Sequence, residues 1–228
     1  PLSPLLSNIM LNELDKELER RGLPFVRYAD DSMIFCKSKR AAMRVKESIT
    51  RFIENTLYLK VNKEKTVVSY VRGVKYLGYS FYVMKGKCQL TVHPKSKAKM
   101  KSRLKELTSR SNGWGYAKRK QKLKEYIRGW VGYYHLANMK RLLLETDEWL
   151  RRRIRMCIWK AWKKAKTKVA NLIRCGINKY QAYEWGNTRK GYWRIADSYI
   201  LHKAITNEHL CRAGYATLMD AYLEWYPK

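Results

Sequence analysis

The sequence has 228 residues, with 49 Lys or Arg against 19 Asp or Glu, so its formal net charge is +30. Hydrophobic residues make up 46% of it, which is enough to bury a core and excludes an intrinsically disordered chain. A positive excess of this size repels itself in a folded protein unless a polyanion neutralises it, so nucleic acid is the expected partner. On charge alone, a basic surface that serves only solubility remains the alternative.

The cysteine pattern argues against a disulfide framework or a zinc site. The five cysteines are scattered and show no C-x-x-C spacing: Cys36, Cys88, Cys157, Cys175 and Cys211. There is neither a signal-peptide pattern nor an apolar stretch of about 18 residues, so we expect a cytoplasmic protein without a membrane span. The chain opens on Pro1 instead of Met, and we therefore expect it to be a fragment of a longer protein.

The first part of the chain mixes helix and strand patterns. Apolar residues recur every four positions and predict a helix over residues 3–21: Leu6, Met10, Leu14 and Leu18. Two β-prone runs within residues 25–35 flank Asp30 and Asp31, which predicts a β-hairpin with both acids at or beside its turn. Further on, the patterns predict a second helix and four strands, over residues 39–57, 57–61, 66–71, 74–81 and 88–92.

From His93 onward the pattern becomes helical and more basic. The predicted helices cover residues 95–109, 117–135, 140–166, 178–185, 192–205 and 216–225. Residues 93–175 carry 25 basic and 5 acidic side chains, against 17 and 9 in residues 1–92 and 7 and 5 in residues 176–228. The sequence therefore predicts an α+β chain, with a mixed domain over residues 1–92 and a helical domain over residues 93–228.

The adjacent acids at the predicted turn point to metal chemistry. Two like charges on a tight turn repel each other, and bound divalent cations would remove that cost. Mg²⁺ prefers carboxylate oxygens together with substrate phosphates, and two such ions assist in-line phosphoryl displacement. Taken alone, however, Asp30 and Asp31 are more often an ordinary solvated acidic turn.

Four motifs in this region resemble those of reverse transcriptases. Tyr28-Ala29-Asp30-Asp31 is similar to the catalytic hairpin YADD, called motif C. The other three segments follow the family's order and spacing: residues 1–12 resemble the motif B helix, residues 59–66 motif D, and residues 75–81 the primer grip, motif E. The resemblance implies the C-terminal part of a reverse-transcriptase palm, an antiparallel hairpin and sheet with packed helices.

Residue roles follow from this resemblance. It implies that Asp30 ligates Mg²⁺, with Asp31 beside it as a weaker ligand. It also implies that two further groups bind nucleotide and primer: Tyr28 and Ala29 at the hairpin, and Leu77, Gly78 and Tyr79 at the primer grip. Lys65 matches the motif D lysine that protonates departing pyrophosphate, although a solvated lysine remains the alternative there. The family's third carboxylate, in motif A, lies outside this chain, so we expect the fragment alone not to polymerise DNA.

Basic residues interleaved with aromatics over residues 95–168 predict RNA binding, because cations contact phosphates and aromatic rings stack on unpaired bases. We expect Trp130, Trp149 and Trp162 to pack in the core, and at most one of Tyr133 and Tyr134 to point inward. The predicted RNA-binding residues are Lys97, Lys101, Lys118, Arg119, Lys120, Arg128, Tyr134, Arg151, Arg152, Arg153, Arg155, Lys163 and Lys164. Reversing the arginines of residues 151–155 to glutamate is expected to weaken this binding strongly.

Three segments resemble the maturase region, domain X, of group II intron reverse transcriptases: residues 126–134, 150–163 and 207–215. The resemblance implies a helical thumb that grips a template–primer duplex and binds intron RNA to promote splicing. It implies an RNA-directed DNA polymerase and maturase with Mg²⁺, dNTPs, an RNA template and a DNA primer, in the bacterial cytoplasm near the nucleoid. Two alternatives stay open: a splicing-only RNA-binding cofactor, and a retron or CRISPR-associated reverse transcriptase.

Overall fold

Residues 2–226 are described by a computed structural model, in which the chain divides into two units between Cys88 and Gln89. Helices and small antiparallel sheets together make an α+β protein, as predicted. The predicted boundary between residues 92 and 93 lies at the end of a strand inside the second unit. The functional assignment of the two parts stays a prediction.

The first unit contains two long helices and four strands. In chain order its elements are α1 Ser3–Arg20, β1 Phe25–Tyr28, β2 Asp31–Ile34, α2 Lys39–Asn55, a 3₁₀ turn Val71–Gly73, β3 Lys75–Tyr76 and β4 Tyr79–Met84. Leu14 and Leu18 of α1 are buried against Ile49 of α2 and Leu57. The N-terminal half of α1 buries nothing: its apolar residues Leu2, Leu5, Leu6, Ile9 and Met10 are exposed. The predicted apolar stripe therefore packs only in its last two turns.

Both strand pairs of this unit are antiparallel and tightly connected. β1 pairs with β2 so that Tyr28 faces Asp31, and β3 pairs with β4 so that Tyr76 faces Tyr79. The strands predicted over residues 57–61 and 66–71 are wrong. Leu57 and Leu59 pack into the core from a segment without a strand partner, and the amide of Thr66 closes a turn by donating to the Asn62 carbonyl at 3.0 Å.

Glu17 forms hydrogen-bonded ion pairs at the end of α1, and these make the stability of this unit sensitive to acid. Its carboxylate accepts hydrogen bonds from Arg20 and Arg21, at 2.8 and 2.7 Å, and these hold the pKa of Glu17 at about 2. A carboxyl with a lowered folded pKa stabilises the fold above its unfolded pKa, about 4.3, and loses that contribution as pH falls towards 2.

We therefore expect Glu17→Gln to reduce the stability of the first unit at pH 7, with the difference from the unsubstituted protein vanishing near pH 2. Hydrogen exchange of peptides from α1 and α2 measures this, because every tryptophan lies at position 114 or later and does not report on this unit. Glu13→Gln is the control, since its ion pair with Lys16 is exposed. An equal effect of both substitutions at pH 7 would contradict the assignment.

The second unit is helical apart from the last four residues of its first strand, which begins two residues before the division between the units. β5, Lys87–Val92, leads into α3 Pro94–Leu107, α4 Tyr116–Tyr134, α5 Lys140–Ala161, α6 Ala165–Arg174, α7 Lys179–Gly186, α8 Tyr192–Ile195, α9 Tyr199–Ala204, α10 Asn207–Arg212 and α11 Leu218–Leu223. Two predicted helices are wrong in extent, because residues 140–166 break after Ala161 and residues 192–205 break after Ile195. Helix α10 was not predicted, and of α6 the prediction covers only the first two residues.

One tryptophan and several aliphatic residues make the core of this unit. Trp159 is 1% exposed, whereas Trp130, Trp149 and Trp162 are only half-buried. The prediction that these three rings form the core is therefore wrong. Tyr133 is exposed and Tyr134 half-buried, which confirms that the two do not both point inward. Buried Asp147 of α5 accepts hydrogen bonds from the amides of Leu218 and Met219 and so caps α11, at 2.8 and 2.9 Å.

None of the helices within residues 2–226 is both long enough and apolar enough to cross a membrane.

Candidate active site and nucleic-acid interface

The turn of the β1–β2 hairpin presents its acidic pair to solvent. Asp30 lies in the turn, Asp31 begins β2, and both side chains are exposed, as is Tyr28 at 66%. Ala29 has a φ of 52°, in the left-handed region where a residue with a Cβ is uncommon. A two-residue hairpin turn requires a positive φ at its first central residue, so this conformation follows from the turn geometry and leaves the acidic pair at the tip of the hairpin.

Arg27 fixes the base of this turn to helix α1. Its guanidinium donates to Asp15 at 2.7 Å, to the side-chain oxygen of Asn8 at 3.0 Å and to the carbonyl of Ala29 at 2.9 Å. The Arg27–Asp15 pair is largely shielded from water, with 13% and 20% of the two side chains exposed. The last of these contacts holds the backbone of Ala29, the other two join Arg27 to α1, and the sequence motifs gave no sign of them.

The predicted primer-grip residues lie on the tight connection between β3 and β4. Leu77 and Gly78 both have positive φ, 50° and 82°, and Tyr79 begins β4. Tyr76, which is not one of the predicted primer-grip residues, lies close enough to the hairpin for the charge of Asp31 to affect its pKa. Burial is the main cause that raises the pKa of Tyr76, and the negative charge of Asp31 raises it further. Tyr76, which directly precedes the predicted primer-grip residues, is thus within electrostatic range of Asp31.

Lys65 lies on a separate turn of the same unit. Its side chain is exposed, and its backbone amide donates to the Asn62 side chain at 3.1 Å. Nothing about this geometry distinguishes a proton donor from a solvated lysine, so its role stays a prediction.

The donor set at the hairpin suits Mg²⁺ only in part. Asp30 and Asp31 supply exposed carboxylate oxygens, the ligand type that Mg²⁺ prefers. Across residues 2–226 there is no group of three or more His, Cys, Asp or Glu side chains that could hold a metal ion. The pair can therefore provide two ligands of a larger site.

Many of the predicted RNA-binding residues lie on the surface of the second unit. Five are exposed, namely Lys101, Lys118, Arg128, Lys163 and Lys164, and Lys97 and Arg151 are half-buried. Lys118 lies 5.5 Å from the ring centroid of Trp114, and Lys120 donates to the Ala213 carbonyl at 2.7 Å. Tyr134 packs against Trp130 and Tyr133, with both centroid distances 4.7 Å. The exposed cations remain the candidates for phosphate contacts.

Other predicted RNA-binding arginines serve the protein itself. Arg155 is 3% exposed and donates to the Ile205 carbonyl and the Asn207 side chain, both at 2.9 Å. Arg119 is 5% exposed and donates to the Asn112 side chain at 3.1 Å. Burial lowers the pKa of Arg155, because it penalises the charged form. We therefore remove Arg119 and Arg155 from the residues proposed to contact RNA.

Arg152 and Arg153 are half-buried and also engaged. Arg153 donates to the hydroxyl of Thr108 at 2.6 Å and to the carbonyls of Lys105 and Thr108, which joins α5 to the end of α3. Arg152 pairs with Asp197 at 2.9 Å. Reversing all the arginines of residues 151–155 would therefore disturb the fold together with any RNA contact.

Replacing Arg155 alone should separate these effects. We expect Arg155→Ala to destabilise the second unit by about 3 kcal/mol, because two acceptors lose a charged donor in a buried place. Urea unfolding followed by tryptophan fluorescence measures this. Exposed Arg128→Ala in α4 is the matched control and should change stability by less than about 0.5 kcal/mol. Equal stability of the two variants would contradict a structural role for Arg155.

Comparison with known families finds a match within each unit. Residues 1–81 match the family model of reverse transcriptase (RNA-dependent DNA polymerase), so the unit with the acidic hairpin is of the reverse-transcriptase class. Residues 97–176 match the maturase-specific domain of group II introns. The chain therefore belongs to the group II intron reverse transcriptases and maturases. Both domains imply RNA binding. A comparison with curated proteins gives no match.

Proposed function

We propose that the protein is an RNA-directed DNA polymerase and an intron-splicing maturase, with Asp30 and Asp31 at the polymerising centre. The observation that carries the proposal is the tight hairpin turn, which exposes two adjacent carboxylates within the reverse-transcriptase match. The acidic pair lies at a two-residue hairpin turn within residues 1–81, and this position inside the family match favours a metal-binding role over an ordinary solvated turn.

The chemistry of the proposed centre divides among several residues. Asp30 and Asp31 would bind Mg²⁺, with a third carboxylate from outside residues 1–228. When bound, Mg²⁺ supplies charge stabilisation for nucleotidyl transfer. Tyr28 and Ala29 would line the nucleotide and primer end, Lys65 would protonate pyrophosphate, and the remaining contacts to the primer would come from Leu77, Gly78 and Tyr79.

The second unit would bind intron RNA and the template–primer duplex through its exposed cations. Its charge supports this role, because residues 93–175 hold 25 basic side chains and only 5 acidic ones. With dNTPs as substrates and nucleic acid as template, the site of action would be the bacterial nucleoid.

Salt dependence tests the RNA-binding part. We expect binding to structured RNA to weaken linearly with salt on a double-logarithmic plot, with Lys163→Glu and Lys164→Glu together reducing the slope by about 2. The matched control is Lys37→Glu with Lys39→Glu, an equal charge change on exposed residues of the first unit. Equal losses in both double variants would show that net charge alone binds RNA and would defeat the assignment.

Primer extension tests the polymerase part. In a polypeptide that includes the third carboxylate, extension on an RNA template should require Mg²⁺ and stop when a chelator removes it. Residues 1–228 alone should bind RNA without extending the primer. RNA binding and intron splicing without any extension by the longer polypeptide would favour the splicing-only alternative.

A further inference from the structure

A short helix of the second unit exposes two aromatic rings, each with an arginine stacked on it. Tyr192 and Trp193 of α8 are 36% and 39% exposed. Arg110 lies over the ring of Tyr192 and Arg152 over that of Trp193. We call these four residues the α8 surface. Both of its rings lie beyond residues 97–176, which match the maturase-specific domain.

Arg152 fixes the orientation of Trp193. Its guanidinium carbon lies 4.0 Å from the ring centroid, while its Nη2 donates to the carbonyl of the same tryptophan at 3.1 Å. Asp197 holds the other side of the guanidinium at 2.9 Å. The ring is therefore restrained before any ligand arrives, which reduces the conformational entropy lost on binding.

Tyr192 receives a cation from the segment that follows α3. The guanidinium carbon of Arg110 lies 5.0 Å from its ring centroid, and the Arg110 carbonyl accepts a hydrogen bond from Lys160 at 2.8 Å. The α8 surface thus combines two rings from one helix with cations from two other segments of the same unit.

The core does not account for these rings. Helix α8 packs through Ile195, which is 1% exposed, and the following Ala196 is buried against Met156 and Cys157 of α5. Tyr192 and Trp193 retain over a third of their surface in water, although burying rings of this size would favour folding.

The side chains around the α8 surface indicate the kind of ligand. Residues 184–197 contain three basic side chains, Arg189, Lys190 and Arg194, and two acidic ones, Glu184 and Asp197, of which Asp197 is paired with Arg152. Lys190 lies 5.0 Å from the ring centroid of Trp185, which adds a third cation–aromatic pair. Aromatic rings among cations suit unpaired bases, which stack, and the phosphates that join them.

We propose that the α8 surface is a stacking site for single-stranded RNA, with Trp193 and Tyr192 each receiving an unpaired base. The proposal rests on the RNA-binding function proposed above, and it adds a preference for unpaired nucleotides that phosphate contacts alone do not give. Duplex RNA keeps its bases stacked inside the helix and cannot use these rings.

Binding of two RNA probes tests the proposal on the 228-residue protein. A fluorescein-labelled single-stranded oligoadenylate and a duplex RNA of the same length are titrated by anisotropy. Trp193→Ala should weaken single-strand binding by about 5- to 150-fold and change duplex binding by less than about twofold. Trp193→Phe should restore most of the loss, and Tyr192→Ala should act like Trp193→Ala. Tyr180→Ala, at a tyrosine that is 81% exposed, is the matched control and should bind like the unsubstituted protein.

A stacking readout separates base contact from a structural effect. With 2-aminopurine in the single strand, binding to the unsubstituted protein should quench its fluorescence, and Trp193→Ala should abolish the quenching without lowering the melting temperature. Unchanged single-strand affinity, equal loss for both probes, or unchanged quenching in Trp193→Ala would each overturn the stacking site while duplex binding still upholds the proposed function. Failure of the unsubstituted protein to bind either RNA would overturn both.

Discussion

Replacing Asp30 with asparagine is expected to lower primer extension by about three orders of magnitude, with little change in RNA binding. The amide has nearly the shape of the carboxylate but lacks its charge, so a Mg²⁺ ligand is lost from the centre. Charge stabilisation by bound metal is worth several kcal/mol, and about 1.4 kcal/mol corresponds to a tenfold change in rate. The measurement is extension by a polypeptide that contains residues 1–228 and the third carboxylate.

Asp30 is exposed, and an exposed side chain outside the core contributes little to stability. A loss of primer extension in Asp30→Asn can therefore be attributed to the lost ligand. Asp31→Asn should cause a smaller loss, in keeping with a weaker ligand. Glu47→Gln, at an exposed acid of α2, removes the same charge elsewhere in the unit and should leave extension unchanged. If Asp30→Asn retained more than about a tenth of the activity, Asp30 would not be a principal metal ligand.

The sequence could place the hairpin because its determinants are local. β-prone residues alternate on both sides of a two-residue turn, and the pairing of Tyr28 with Asp31 follows from the turn length. The support for the turn was beyond such a prediction. Arg27 meets Asp15 and Asn8 across 12 and 19 positions of the chain, and no periodicity encodes that contact.

The roles of charged residues are harder to predict from the sequence than the positions of apolar residues. The run of arginines within residues 151–155 has the composition of a phosphate-binding cluster, yet Arg155 is buried and Arg153 joins two helices. Asp147 sits in the middle of a helix and caps another helix about 70 positions later. In each case the acceptor or donor comes from a distant element, so the sequence shows the charged group without its partner.

Some arginines bind groups of the protein instead of RNA, so the net charge overestimates the number of cations available for RNA binding. Side chains that donate to carbonyls stabilise the folded unit and have fewer donor groups left for phosphate. The cations left for RNA are those with exposed ends, such as Lys101, Lys163 and Lys164. A salt-dependence slope below the number of basic residues is the expected consequence.

Trp159→Ala is expected to be the most destabilising single substitution in the second unit, by about 3–5 kcal/mol. The ring of Trp159 is 1% exposed and meets Trp162 edge to face at a centroid distance of 5.8 Å. Lys168 of α6 lies 4.8 Å from its centroid. Removing the ring would leave a cavity where α5 meets α6 and would take a cation–aromatic contact with it.

Urea unfolding followed by fluorescence measures the loss, because the other seven tryptophans of the chain all lie at position 114 or later, in the same unit. Trp130→Ala is the informative comparison, since it removes an equally large ring from a half-buried place. The sequence pattern favours Trp130, together with Trp149 and Trp162, as core residues, whereas burial favours Trp159. A larger loss of stability in Trp130→Ala would show that the packing around α5 and α6 is not what stabilises this unit.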